Sequence, residues 1–377
     1  MKMVVSIVLN NFKNDSRVLK EAISLQNGGY DIRVIAIHEE PLREFDTISN
    51  IPVHRIKVKS KEWSKRKFIQ LIKYFEFIYR TVKEYRDVDI FHCNDLNTLP
   101  IGVIVKKFFN KNAKIVYDAH EYETEIFGLK GIQKKVIKSL EKTFIKYVDK
   151  TITVSDRIAK EYVRLYNIEK PSLVLNTPSY KEIEKKNIFR KVFGIGKEQT
   201  IFLYQGSISG GRGIEILLET FKKLSKENRN IVIVFIGYGE FSNLVQEASE
   251  RYQNIYFHEA VSPQVLLKYT SSADFGISTI EDSCLSYRYC LPNKMFEYIM
   301  AEIPLIVSNL DEMRNLVESN GIGIVAQDNT SNGLKEAIKE AIGLDKEKLK
   351  KNIQNLKRVY NWEEQEKILL QLYRELY

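Results

Sequence analysis

The chain has 377 residues, of which 44% are hydrophobic and 28% charged, a composition typical of a soluble globular protein large enough for two α/β domains. It contains no apolar stretch long enough to span a membrane, its apolar run at positions 3–9 is too short for a signal peptide, and its three cysteines lack the spacing of a disulfide frame or a zinc site. We therefore expect a cytoplasmic protein.

The net charge of +9 is distributed unevenly along the chain. Residues 1–177 contain 32 Lys and Arg against 22 Asp and Glu, whereas the remaining residues contain 26 against 27. A basic first half indicates an anionic partner, which could be nucleic acid, an anionic membrane surface or a phosphate-linked acceptor. A well-solvated lysine-rich surface explains the same charge equally well.

The first half begins with a strand–helix–strand pattern. A continuous apolar run at positions 3–9 is typical of a buried parallel strand, helical spacing follows at 17–26, and Asp31–Ile37 is the next strand. Further strands are predicted at positions 88–92, 114–117, 150–154 and 172–175. Two basic, aromatic-rich helical stretches lie between them, at 64–85 and 131–147.

The alternation of strands and helices starts again near position 200. Strands are predicted at 201–204, 231–236, 255–257, 275–278 and 305–308, and an amphipathic helix at 362–377. The fold class is therefore α/β, with two Rossmann-like parallel-sheet domains at 1–178 and 197–361 and a charged linker at 179–196. Such domains bind ligands at the carboxyl ends of their strands, in a cleft between the two sheets.

A glycine-rich loop at 204–213 follows one strand and precedes a helix. Glycines let the backbone approach a ligand closely, and a helix N-terminus offers free N–H groups and partial positive charge. Arg212 adds a full charge, so the loop is a candidate diphosphate site, although it matches neither named nucleotide motif. The alternative is a glycine-rich turn without a ligand.

A second motif starts a helix after Pro292. Lys294 and Glu297 are three residues apart and share a helix face, where Lys could neutralise phosphate and Glu could accept hydrogen bonds from vicinal ribose hydroxyls. The alternative is an ordinary surface ion pair of little energetic value.

A third motif, at 117–121, contains His120 directly after a predicted strand. This histidine is expected at the carboxyl edge of the sheet, where it could donate, accept or stabilise charge; an exposed loop histidine is the alternative. Asp87 and Asp89 resemble an Asp-x-Asp metal motif but precede a strand, so we interpret them as turn residues, and Gly237 with Gly239 indicates only a turn.

Together these motifs resemble glycosyltransferase family 4, the retaining group 1 transferases of the GT-B fold, over nearly the whole chain. The first-strand loop with Asn14, Asp15 and Arg17 is similar to the family's opening and its acceptor side. Positions 117–121, 206–213 and 291–304 are similar to its active-site His segment, its phosphate loop and its nucleotide-binding Glu helix. The helix starting near Trp362 is similar to the family's last helix, which packs back on the first domain.

The resemblance implies a role for each matched residue. Glu297 would bind the ribose. Arg212 and Lys294 would hold the diphosphate leaving group, together with backbone N–H groups near Gly206 and Asn293. The other expected donor-binding positions are Ser207, Gly211 and Tyr289. His120 would lie beside the donor sugar, and no metal or other cofactor would be needed, because fixed positive groups stabilise the departing diphosphate.

Two positions depart from the family pattern. Ser207 stands where many members have Arg, and Tyr289 stands where many have a second Glu that positions the donor sugar. Glu281 or Asp282 could substitute for that Glu. These departures leave open a catalytically degenerate GT-B subunit that binds or scaffolds a partner transferase.

The resemblance implies transfer from a nucleoside-diphosphate sugar, with UDP favoured, to a saccharide or lipid-linked saccharide in surface polysaccharide or glycoconjugate synthesis. A nucleotide-sugar 2-epimerase shares the architecture and remains an alternative. Nucleic acid is the poorest candidate partner, because no recognition motif accompanies the basic half.

The basic stretches at 60–86 and 131–150 interleave lysines with apolar residues. This pattern suits a helix lying on an anionic bilayer, which would make the protein peripheral on the inner face of the plasma membrane. Apolar positions that simply pack on the sheet, with solvated lysines outside, fit the pattern equally well.

Overall fold

The structure is a computed structural model that describes residues 1–63 and 66–377. It contains two compact units: Met1–Leu175 with Glu366–Tyr377, and Asn176–Gln365. Each unit has its own parallel sheet covered by helices, which confirms the predicted α/β class. Across the described residues, no helix combines the length and the apolar character needed to cross a bilayer.

The first unit is built on an eight-stranded sheet with the order β3-β4-β2-β1-β5-β6-β7-β8. All neighbouring strands pair in parallel except β3 and β4. The strands are β1 Met3–Ile7, β2 Asp31–Ile37, β3 Phe45–Ile48, β4 Ile51–Ile56, β5 Ile90–Asn94, β6 Lys114–Ala119, β7 Lys150–Thr153 and β8 Ser172–Leu173. Its helices are α1 Ser16–Asn27, α2 Lys67–Tyr85, α3 Leu99–Phe108, α4 Gly131–Phe144 and α5 Asp156–Tyr166, with short 3-10 turns at Lys59–Glu62 and Ile145–Tyr147.

The antiparallel pair β3–β4 was not predicted from the sequence. Ser49 and Asn50, which join the two strands, both have positive φ angles of 50° and 66°. Two successive residues with positive φ form a tight hairpin turn that matches strand twist. The surrounding segment is rich in charged residues, a composition that is more typical of a loop than of a strand.

The second unit contains a six-stranded parallel sheet with the order β11-β10-β9-β12-β13-β14. Its strands are β9 Thr200–Ser207, β10 Ile231–Tyr238, β11 Ile255–Glu259, β12 Phe275–Ser278, β13 Leu305–Val307 and β14 Gly323–Val325. Its helices are α6 Ile188–Phe193, α7 Ile214–Glu227, α8 Ser242–Arg251, α9 Pro263–Thr270, α10 Leu285–Arg288, α11 Asn293–Met300, α12 Asp311–Asn320, α13 Ser331–Ile342 and α14 Lys346–Lys357, and α15 Trp362–Arg374 begins in this unit. The strand order reverses between β9 and β12, and such a switch point opens a ligand crevice at the strands' carboxyl ends.

The segment 179–196, predicted as a linker, is part of the second unit. Phe189 of α6 is fully buried, and the backbone N–H of Ile188 donates to Ser272 Oγ at 3.2 Å. Its high charge suggested a linker, but Phe189 and backbone hydrogen bonds attach the segment to the unit, and two of its own charged residues, Lys185 and Arg190, pair with Asp274 at 3.0 and 3.1 Å.

The C-terminal helix α15 passes into the first unit at Glu366. The Tyr373 hydroxyl lies 2.7 Å from Nδ1 of the buried His92, and Glu366 accepts a hydrogen bond from Ser24. Leu370 packs so closely on Gly28 that a side chain there would collide with it. The last turns of the chain therefore complete the core of the first unit.

Candidate functional site

The glycine-rich loop lies at the switch point of the second sheet. Gly206, near the end of β9, has a φ of +113°, which a residue with a side chain rarely adopts. Ile208 anchors the loop to the turn after β10: its N–H donates to Tyr238 O at 2.9 Å, and its carbonyl accepts from Phe241 N at 2.9 Å. Gly239 permits this contact, because any Cβ there would collide with Ile208 O.

The other end of the loop is packed against the segment after β12. A Cβ on Gly211 would lie 2.7 Å from Tyr287 Cε2, and one on Gly213 would lie 2.6 Å from Thr279 Cβ. Thr279 Oγ1 also donates to the Arg212 carbonyl at 3.0 Å, and the Arg212 guanidinium sits 5.0 Å from the Tyr287 ring centre. The loop is therefore held on both sides, with Arg212 placed next to the N-terminus of α7.

Lys294 is the most unusual side chain of this region. It lies in the first turn of α11, is only 9% exposed, and its Nζ has no hydrogen-bond partner among the described residues. Nζ lies 3.6 Å from the Tyr204 ring centre, and a Cβ built on Gly206 would lie 3.8 Å from it. A buried ammonium without a hydrogen-bond partner is costly, so its place beside a glycine loop indicates an anion site.

The electrostatics around Lys294 support that assignment. Burial lowers the pKa of the Lys294 ammonium well below its usual value, and the positive charge of Arg212 lowers it further. An anion bound here would offset both effects. The two cations and the N-termini of α7 and α11 supply the positive charge that a diphosphate requires.

Glu297 lies one helical turn after Lys294 and is partly exposed. Its Oε2 accepts a hydrogen bond from the Gln205 side chain, and Gln205 Oε1 in turn accepts from Thr270 Oγ1 at 2.8 Å. Gln205 is almost fully buried. The carboxylate is therefore held in one orientation by a buried chain of hydrogen bonds, which a surface ion pair would lack.

Tyr298 attaches α11 to the switch point. Its hydroxyl lies 3.1 Å from both Leu203 O and Ile277 O, and it accepts from Gln205 N at 3.3 Å. It thus bridges β9 and β12 where the strands separate. Gly276 makes room for the ring, which would collide with any side chain at that position.

The other predicted residues of this region occupy its surface. Asn293 is the exposed first residue of α11, Ser207 is exposed with its Oγ 2.9 Å from Ser209 Oγ, and Tyr289 is half-buried after α10. Asp282, a possible substitute for the missing family Glu, is paired with Arg288 at 2.5 Å.

In the first unit, His120 lies directly after β6, between two carboxylates. Its Nε2 is 3.2 Å from Asp118 Oδ2 and its Nδ1 is 3.4 Å from Asp95 Oδ1. Burial disfavours the charged ring, but Asp118 and Asp95 outweigh it and raise the pKa of His120 to about 10. The two carboxylates thus favour the charged form of His120, which suits stabilisation of negative charge more than general-base catalysis.

Arg17 differs from its predicted place on an acceptor-side loop. It is a 5% exposed residue of α1, and its guanidinium donates to both Asp118 oxygens at 2.8–3.1 Å and to Val174 O at 2.8 Å. Asp15 caps α1 through Val18 N at 3.2 Å, and Asn14 is exposed. Arg17 thus holds Asp118, whose pKa it keeps well below the usual range against the effect of burial.

Glu21, His92 and Asp118 each place one donor atom within 4.8 Å of the others, a spacing that a metal ion could use. However, the Arg17 guanidinium lies 3.1 Å from Glu21 and contacts Asp118 through both oxygens. The guanidinium thus lies between the two carboxylates and balances one of their two charges, so we interpret the set as a buried ion-pair network. Asp89 accepts from Met3 N at 2.8 Å at the start of β5, which fits its interpretation as a turn residue.

Two residues of these sites were missed by sequence reasoning. Gln205 orients Glu297, and Asp95 contacts His120 while adopting a left-handed φ of 62° at the end of β5. Strained backbone of this kind concentrates at functional sites. The position of Asp95, directly after a buried strand of a parallel sheet, was the signal that could have found it.

Two family models match the chain, one to each unit. Glycosyltransferase Family 4 matches residues 16–176, and Glycosyl transferases group 1 matches residues 185–359. An uncharacterized glycosyltransferase of Methanocaldococcus jannaschii is 23% identical over 333 residues, which are 80% of this chain and 78% of that protein. The alpha-monoglucosyldiacylglycerol synthase of Streptococcus pneumoniae is 24% identical over 224 residues, so this chain spans 49% of its length.

Solved structures show the same architecture. Sucrose-phosphate synthase from Thermosynechococcus elongatus has a TM-score of 0.82 at 16% identity and covers 100% of this chain and 99% of its own. Anabaena HepE, solved in complex with UDP-glucose, has a TM-score of 0.74 at 13% identity, with the same coverage. At these identities the likeness establishes the fold, which is GT-B.

Proposed function

The chain belongs to the group 1 glycosyltransferases of family 4, and from this membership we propose that it transfers a sugar from a UDP-sugar donor to a saccharide or lipid-linked saccharide acceptor. The transferred sugar would keep its anomeric configuration. The observation that carries the proposal is the buried ammonium of Lys294 beside Gly206, which has no hydrogen-bond partner in the described part of the chain. A diphosphate is the ligand that satisfies it, and Glu297 on the same helix is placed to accept from a ribose.

The donor and acceptor classes draw on the similar proteins. Anabaena HepE is described in complex with UDP-glucose, which supports a uridine donor. The pneumococcal relative is named for a glucosylated diacylglycerol, which supports a lipid-linked acceptor. Surface glycoconjugate synthesis is part of the same proposal.

Chemically, the reaction separates a sugar from a diphosphate whose negative charge grows in the transition state. Arg212 and Lys294 would stabilise that charge, and we propose that they supply what a metal ion supplies in other transferases. The leaving phosphate can take the acceptor's proton on the face it vacates, which retains the configuration. His120, held as a cation by Asp118 and Asp95, would stabilise charge near the sugar and leave proton removal to the phosphate.

Slow hydrolysis of UDP-glucose tests the donor and the stereochemistry without knowledge of the acceptor. We expect proton NMR, recorded before mutarotation, to show the α-anomer of glucose appearing first, together with UDP. The same experiment in EDTA should give the same rate.

The other outcomes separate the alternatives. A β-anomer would contradict retention. Conversion of a UDP-sugar into its C2 epimer without UDP release would indicate a 2-epimerase, and UDP binding without turnover in any acceptor mixture would indicate a degenerate subunit.

A further inference from the structure

Helix α2 has an apolar stripe that faces solvent. Its inner face buries Phe77, Ile78, Val82 and Tyr85, each at most 7% exposed. On a neighbouring face, at spacings of three and four residues, are Phe68, Leu71, Phe75 and Tyr79, which are 71%, 53%, 62% and 64% exposed. The apolar pattern of α2 is therefore only half explained by packing on the sheet.

Ser64 and Lys65, which the sequence assigned to this helix, lie outside the described residues.

Helix α4 repeats the arrangement. Ile132, Val136 and Leu140, four residues apart, are 79%, 51% and 45% exposed. The opposite face is tied down through buried Glu141, which accepts from the Tyr117 and Tyr162 hydroxyls at 2.7 and 2.6 Å. The orientation of α4 is thus set by buried polar contacts that keep its apolar stripe outside.

The two stripes belong to one layer of helices, because α3 packs against both α2 and α4. At the end of α3, Phe108 and Phe109 add two further apolar rings, 68% and 53% exposed. Soluble proteins rarely expose so many large apolar side chains within one layer, and such patches mark interaction surfaces.

The charge of the same segments selects the partner. Residues 59–86 contain nine Lys and Arg against three Glu, and residues 131–150 contain six Lys against one Glu and one Asp. Lys83 on α2 and Lys135 and Lys142 on α4 are exposed. Two copies of so basic a face would repel each other, whereas a layer of anionic headgroups has the complementary charge. Apolar side chains beside lysines are also typical of a helix that lies at the bilayer interface.

We propose that α2 and α4 form a membrane-binding face that lies on an anionic bilayer, with Phe68, Leu71, Phe75 and Tyr79 and with Ile132, Val136 and Leu140 inserted below the headgroups. The loop that carries His120 leads directly into α4, so docking brings this loop to the surface where a lipid-linked acceptor resides. That last step rests on the proposed function, whereas the membrane binding itself does not.

Vesicle flotation of the full chain tests the proposal. We expect the protein to float with phosphatidylcholine vesicles containing about one third phosphatidylglycerol, to remain behind with phosphatidylcholine alone, and to be released as salt screens the lysines. The variant Phe75→Ser/Val136→Ser should lower the partition coefficient by roughly tenfold or more, because it removes inserted apolar area. Lys135→Gln and Lys142→Gln should each lower it about fivefold.

Val359→Ser provides a matched control, since Val359 is 57% exposed but lies in the second unit. It should float like the wild type. All variants should keep the thermal shift that UDP produces, so a folding defect or a missing donor site is seen separately from lost membrane binding. The proposal is overturned if the wild type does not float with anionic vesicles, or if the variants of α2 and α4 float as well as the wild type. It is also overturned if these substitutions instead convert a dimer of the chain into monomers.

Discussion

Replacement of Lys294 by methionine is expected to lower kcat/KM for sugar transfer by roughly a hundred- to a thousandfold, while the nucleotide-free protein remains at least as stable as the wild type. The loss follows because, in the proposed mechanism, the ammonium stabilises the charge that the leaving diphosphate gains. The stability follows because the free protein buries this ammonium without a hydrogen-bond partner among the described residues. Methionine has a similar length and removes that cost.

The stability of the free protein should also respond to pH through Lys294. Its folded-state pKa is depressed, so between that pKa and the unfolded value of about 10.4 the unfolded state binds more protons than the folded state. The free energy of unfolding should therefore increase as pH rises through this range and decrease as pH falls. Lys294→Met should flatten this part of the profile.

Lys268→Met is the matched control, because Lys268 is an exposed lysine of α9 in the same unit. It should leave kcat/KM and the melting temperature nearly unchanged. If Lys294→Met kept transfer activity, or lost activity only because it unfolded, the anion-site assignment would be wrong.

Asp118→Asn is expected to destabilise the protein by about 3–5 kcal/mol in denaturant titrations, because it leaves the buried Arg17 guanidinium without its main counter-charge. Asp282→Asn is the control: Asp282 also pairs with a guanidinium, that of Arg288, at 2.5 Å, but is 36% exposed. We expect it to cost about 1 kcal/mol or less. A loss in Asp118→Asn no larger than in the control would contradict the buried network.

The same substitution should change the titration of His120. In the wild type its pKa of about 10 keeps the ring charged, so its NMR signals should not shift between pH 6 and 8.5. Its stabilising contribution is full below the unfolded pKa of about 6.5 and is lost only as pH rises through the folded value. Without the Asp118 carboxylate, the titration midpoint of His120 should move to lower pH. An unchanged midpoint would show that groups other than Asp118 stabilise the charged ring.

The fold and the shared helix face of Lys294 and Glu297 could be predicted because their signals are local. Apolar runs alternating with amphipathic stretches indicate parallel sheets, and Lys294 and Glu297 share a helix face by their spacing alone. The hydrogen bond from Gln205 to Glu297 and the stacking of Lys294 on Tyr204 join residues about ninety positions apart. No local pattern contains them.

Arg17 shows how tertiary contacts override the usual rule for charge. An arginine beside a polar turn is normally exposed, yet Arg17 is buried because its partner, Asp118, lies 101 positions away. The outward stripes of α2 and α4 show the opposite case, because they are apolar residues that lie exposed. Apolar residues at helical spacing predict a buried face, and a helix with two such faces does not reveal from its sequence which one the sheet covers.

The central claim is that the second unit holds a nucleoside diphosphate without a metal, on Lys294, Arg212 and Glu297. Thermal unfolding with UDP, GDP, ADP, CMP and TDP, each with and without EDTA, tests it most directly, because a ligand of the folded state raises the melting temperature. The account predicts a rise with UDP that EDTA leaves unchanged and that Glu297→Ala abolishes. A rise that disappears in EDTA, or no rise with any of these nucleotides, would contradict it.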